Sequence, residues 1–165
     1  MGGKNSLPMK ELAAILEKLG FTNVRTYIQS GNVVFEASHK VTAKDSERIV
    51  DAINAAKGFA PHTLILTQDS YRRAFASNPF PVDEGKHLHC FFLDRAPARP
   101  DVDRLNRLKG ESEAFLLSGT FFYLFAPDGI GRSKLAPAVE SALGVPATAR
   151  NWNTVQKLAS MLEGG

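Results

Sequence analysis

The chain has a single cysteine, Cys90, in its 165 residues, which excludes an internal disulfide and suits a reducing compartment. Cys90 sits inside the apolar run HLHCFFL and so reads as a small buried residue rather than a nucleophile. Apolar runs of bilayer length are missing, so no membrane-spanning helix is expected. The amino-terminal MGGKNSLPMK lacks the apolar core of a secretory signal. A cytoplasmic protein with no membrane partner is the expectation. Charge of one sign is also scarce. The net charge is only +3 and is spread along the chain, whereas nucleic-acid binders usually concentrate it on one element. The most basic stretch, Arg95 to Lys109, is interrupted by Asp101 and Asp103 and reads as a solvated face.

Several signatures of chemistry are absent. There is no Walker glycine loop, no Gly-x-Ser-x-Gly elbow and no carboxylate pair that stands out as general acid and base. Gly129-x-Gly131 has part of a dinucleotide fingerprint, but Lys134 stands where the third glycine belongs. His87 and His89 alternate along an expected strand and would share a face. No third ligand is near them, and His39 and His62 are remote in sequence. No metal and no cofactor is therefore expected, catalytic residues stay unassigned, and the reading leans away from an enzyme.

What the sequence does contain is an ordinary globular composition, 44% hydrophobic and 22% charged, organised around the stretch TYIQSGNVVF at Thr26 to Phe35. Two β-prone runs meet at Gly31-Asn32, which predicts a two-residue II′ turn. That register sets Ser30 opposite Val33 and Ile28 opposite Phe35, and gathers Gln29, Ser30 and Asn32 at the hairpin tip.

Around this hairpin the periodicity predicts a helix opened by Ser6-Leu-Pro-Met and stopped by Gly20, with Met9, Leu12, Ile15, Leu16 and Leu19 on its core face. A second helix is expected from Ala43 to Lys57, a strand at Thr63 to Thr67 and a short helix from Gln68 to Ser77. Asn78-Pro-Phe-Pro-Val-Asp-Glu-Gly breaks regular structure. Beyond it come a strand at His87 to Asp94, a helix at Asp101 to Lys109, and a hairpin of Ala114 to Ser118 with Phe121 to Ala126. The second hairpin strand is apolar on both faces and is expected to be central. Helices at Ser133 to Leu143 and from Asn151 to Leu162 complete the chain.

The second half thus begins βαββα, and the first half does too if one strand precedes its first helix. The predicted fold class is α+β, with two ferredoxin-like halves of antiparallel or mixed sheets, the first strand of the first half being absent. The predicted division is residues 1–78, a proline-rich linker at 79–86, and 87–165 with its extra carboxy-terminal helix.

GGKN-x-x-P-M at the start, YIQSGNVVF in the hairpin, Arg132-Ser-Lys134, and ATARNWNTV at Ala147 to Val155 resemble the bacterial family called domain of unknown function 1697. The resemblance covers essentially the whole chain. It implies a small cytosolic protein with two ferredoxin-like halves. It also implies an apolar strand before the first glycines, ending in a sequence like LRGINVGG, and this chain starts inside that motif. The family brings no established activity with it.

Two expected helix starts form the candidate site. Arg132, Ser133 and Lys134 precede one helix, and Arg150, Asn151, Trp152, Asn153 and Thr154 open another. Free N–H groups and a partial positive charge at a helix start suit an anion, and Arg grips a carboxylate or phosphate through two parallel bonds. The competing reading makes Ser133 and Asn151 plain caps and Trp152 a core residue. If the halves pack face to face, Lys4, Asn5, Gln29, Ser30 and Asn32 would join the site. The expected partner is a small anionic, phosphate- or carboxylate-bearing ligand. The alternatives are a nucleic acid, with Tyr27 or Phe92 stacking bases, and an oligomer formed through an open sheet edge.

Overall fold

The computed structural model of the chain describes residues 7–27 and 32–164. They form a mixed α+β protein with six α-helices and two antiparallel sheets. There are two compact units, one made from the residues up to Gln68 together with those from Ser160 onward, the other running from Asp69 to Ala159.

In the first unit, α1 (Met9–Lys18) starts behind Pro8, and Gly20 ends it at φ 101°, a backbone angle that only glycine adopts cheaply. Leu12 and Leu16 are buried from its apolar stripe, and Leu7, Met9, Ile15 and Leu19 pack beside them. The Ser6 cap lies outside the described residues. Strands β1 (Thr22–Tyr27) and β2 (Asn32–Glu36) pair antiparallel. The register differs from the tight-turn expectation: Tyr27 pairs with Asn32 and Thr26 with Val33, so Gly31-Asn32 is not a two-residue loop. Asn32 belongs to the strand, where its side-chain amide donates to the Tyr27 carbonyl at 3.3 Å. A bulge between Thr22 and Arg25 is made by Asn23 in the left-handed region, at φ 48°.

Helix α2 (Ala43–Lys57) follows the expected bounds because both ends are specified. Thr42 and Asp45 form a reciprocal capping box, and Gly58 closes the last turn at φ 83°. Ile49 and Ile53 are buried against α1 and the hairpin, in one cluster with Phe21. Thr63–Thr67 is not a strand. Its Ile65 packs on that cluster, but among the described residues it has no ladder partner.

The second unit's sheet is complete. Strands β3 (Leu88–Leu93), β4 (Ala114–Ser118), β5 (Phe121–Phe125) and β6 (Ala147–Asn151) lie in the order β4-β5-β3-β6, every neighbour antiparallel. With α4 (Val102–Leu108) between β3 and β4 and α5 (Val139–Leu143) between β5 and β6, the element order is β-α-β-β-α-β. Strand β6 was not among the expected elements. The expected helix from Ser133 is also corrected. It begins only at Ala136, as a 3-10 turn that continues into α5, because Pro137 lacks the N–H that a helix starting at Ser133 would need there.

One face of this sheet carries Phe91, Leu93, Phe122 and Leu124 into a core with Leu105, Leu135, Val139 and Leu143. Their neighbours Cys90, Phe92 and Tyr123 point to the other face by strand alternation. There α3 (Gln68–Ala76) supplies Tyr71, whose ring stacks on Phe92 at 5.6 Å, and Ala74, whose carbonyl accepts the Tyr123 hydroxyl bond. The 79–86 segment lies within this unit, where Phe80 stacks on Phe125 at 6.1 Å. The last helix, α6 (Trp152–Gly164), starts directly from β6. Among the described residues no helix is long and apolar enough to cross a membrane.

Candidate functional site

The register of β3 places two motifs, distant in sequence, at one end of the second sheet. Leu88 pairs with Phe125, the last residue of β5, and His89 pairs with Asn151, the last residue of β6. The chain therefore leaves β5 towards Arg132-Ser133-Lys134 and leaves β6 into α6 on either side of the start of β3. Segment 130–135 returns over the face that carries Leu124, since Ile130 and Leu135 both pack into that core.

Local structure sets which side chains remain available. Ser133 and Leu135 are buried, while Arg132 and Lys134 between and beside them are exposed. Ser133 Oγ accepts from the Ala136 N–H at 3.1 Å and so caps the 3-10 turn. Asn151 Oδ1 accepts from the Thr154 N–H at 3.0 Å and caps α6. Thr154 is buried, and Trp152 is buried with its ring 5.2 Å from Phe75. The side chain of Asn153 lies against the backbone of Gly85, in a 3-10 turn just before β3.

Arg150 and Asn151, adjacent in sequence, stand on opposite faces of the sheet. Arg150 pairs across the ladder with Cys90, and Asn151 with His89. Arg150 thus shares the face of Tyr71, where burial pulls its guanidinium below the ordinary value and the Tyr71 phenol partly opposes that shift. It does not share the Leu135 face with segment 130–135. On its own face, burial raises the Tyr71 phenol well above its usual range, and the same cause pushes the Cys90 thiol up to about 12. Cys90 is fully buried, as expected from its place in the apolar run. Phe92 is likewise buried under Tyr71 and has no face to offer a base.

In the first unit Asn32 is buried and engaged with Tyr27. Lys4, Asn5, Gln29 and Ser30 lie outside the described residues.

The sequence offers His89 only as a metal ligand, and the structure gives it a different setting. His87 belongs to the 3-10 turn and His89 to β3, and the described residues contain no group of three or more ligands able to hold a metal. The His89 ring faces the Leu124 and Asn151 side. Its Nδ1 is buried without a hydrogen-bond partner, and burial lowers its basicity. The sequence signal was its place in the alternation of HLHCFFL, one step out of phase with Cys90.

The comparisons with known proteins agree with this architecture. No curated protein matches the chain. The solved structure of the conserved bacterial protein SP0830 from Streptococcus pneumoniae is similar at a TM-score of 0.70 and 23% identity, over 98% of this chain and 92% of that one, a likeness of fold. Residues 1–123, from the amino-terminal glycines through both sheets' hairpins, match the proteins of unknown function grouped as DUF1697, and the chain belongs to that family.

Proposed function

We propose that the chain binds a small anionic ligand, bearing a phosphate or carboxylate, at the end of the second sheet where segment 130–135 and the start of α6 lie on either side of β3. The observation that carries the reading is the register: β5 and β6 both end beside the first residues of β3. Two polar motifs far apart in sequence thereby share one end of a rigid sheet. The exposed cations Arg132 and Lys134, held by buried Ser133 and Leu135, supply charge. The start of α6, a helix of 13 residues, adds its partial positive charge and its N–H groups. Arg150 acts from the opposite face, through packing.

We read the second unit as a ferredoxin-like domain, on its element order and the strand order β4-β5-β3-β6. Burial of Phe92 supports a small ligand over a base-stacking nucleic-acid role, because its ring is already stacked on Tyr71. The site holds and orients its ligand; no nucleophile or acid–base pair is assigned.

A thermal-shift screen against phosphorylated and carboxylated metabolites, nucleotides and short RNA tests the reading, with Arg132→Ala/Lys134→Ala run beside the wild type. One anion class should raise the melting temperature of the wild type and leave the double variant unmoved. A cooperatively melting protein that no anion stabilises would overturn it.

A further inference from the structure

His89 holds the one buried side-chain nitrogen or oxygen that lacks a hydrogen-bond partner among the described residues, its Nδ1. A buried polar atom left unpaired costs roughly 1–3 kcal/mol, so a fold that keeps one invites an explanation. The surroundings are specific. His89 lies one residue into β3, between Leu124 of β5 and Asn151 of β6. Neither ladder neighbour partners it: Leu124 is apolar, and the Asn151 side chain is turned to cap α6, its Oδ1 accepting from Thr154. Segment 130–135 covers the same face, with Leu135 in the core shared by Leu124.

We propose that His89 is a ligand-binding residue of this sheet end, with Nδ1 meeting the anion, and that anion binding is coupled to uptake of one proton by its ring. The inference rests on the anion site proposed above and adds to it the residue and the proton. In the unliganded protein burial without a partner disfavours the imidazolium. An anion at Nδ1 reverses that preference by accepting a charge-assisted bond from the protonated ring. The proton comes from solvent and returns there on release, so no other reactant is needed. The other charged or titratable groups on the elements around this end are Lys86 and His87 before β3, Asp128, Arg132 and Lys134 after β5, and Lys157 on α6. Asp128 accepts a bond from the Ser112 hydroxyl. Of these groups His87 is the other imidazole, and it serves as the control.

Sulfate is the probe, because it stays fully ionised throughout and any pH dependence must come from the protein. Its affinity is measured by titration calorimetry from about pH 8 to about pH 5.5, a range that spans the histidine pKa. Binding should tighten on acidification by about tenfold for each unit by which sulfate raises the His89 pKa. His89→Gln should abolish the dependence and His87→Gln should keep it. Should the His89 variant fail to fold, wild type titrated near neutral pH in buffers of different ionisation enthalpy gives the same answer, as a fractional proton taken up per sulfate bound. Sulfate binding that is independent of pH and of buffer, or a pH dependence unchanged in His89→Gln, would overturn the role of His89 and leave the anion site standing. No binding at any pH would overturn the site itself.

Discussion

The backbone of Gly85 lies so close to the side chain of Asn153 that a methyl group on Gly85 would sit 2.1 Å from Asn153 Oδ1 and 3.1 Å from its backbone nitrogen. This contact ties the turn before β3 to the first turn of α6, the two elements that frame the candidate site. Gly85→Ala should destabilise the protein by about 1–3 kcal/mol, the usual cost of overpacking. Because the closest atoms belong to a movable side chain, adding Asn153→Ala should recover most of the loss. Urea denaturation of the two single variants and the double variant measures this as a coupling energy.

Helix α3 is held by two phenols, one bonding it to α6 and the other reaching it from the second sheet. The Tyr71 hydroxyl donates to the Val155 carbonyl at 2.9 Å, and the Tyr123 hydroxyl donates to the Ala74 carbonyl, both buried. Tyr71→Phe keeps the stack on Phe92 but removes a buried hydrogen bond to the Val155 carbonyl of α6. A loss of about 1–3 kcal/mol is expected in equilibrium unfolding, with no change in m-value.

Cys90 is fully buried at the centre of β3, its thiol pushed up to about 12 by burial. In the native state it should resist alkylating and disulfide reagents at neutral pH, and it should react only as fast as the second unit opens. Rapid labelling of folded protein, followed by mass spectrometry, would contradict its placement.

Acid stability should depend on Asp45. Its carboxylate accepts from the Thr42 N–H at 2.8 Å and from His39 Nε2 at 2.8 Å, and lies 3.2 Å from Arg48. The Thr42 bond, followed by that from His39, holds its pKa below the ordinary aspartate value. A folded pKa below the unfolded one means that its contribution is fully present above about pH 4 and is lost as pH falls through the folded value. Asp45→Asn should therefore be less stable than wild type at neutral pH, with the difference shrinking below about pH 4. A difference that holds constant into strong acid would contradict this.

Much of the fold was legible where local signals and tertiary structure agree. Helix α2 and the β4–β5 hairpin carry their own punctuation, Gly58 in one and Gly119-Thr120 in the other, and the bounds expected from sequence were close to those observed. Strand β6, ATARN, was invisible because it lacks β-branched alternation and exists through its ladder with β3, a non-local contact. The reverse holds for Thr63–Thr67, whose composition suits a strand although no described residue pairs with it. In the first hairpin Gly31-Asn32 suits a tight turn by local composition, whereas Asn32 stands in β2 opposite Tyr27, with its side chain bonded to the Tyr27 carbonyl. At the site, missing β6 meant reading Arg150 and Asn151 as one helix start, when strand alternation puts them on opposite faces. His89 gave only the signal of a polar residue within an apolar run.

The most direct test of the anion site is amide chemical-shift mapping of the chain during a sulfate titration. The account predicts saturable shifts clustered at 131–135, at His89 and at 152–154, all absent in Arg132→Ala/Lys134→Ala. Saturable shifts that cluster elsewhere, or no saturable shift at all, would contradict it.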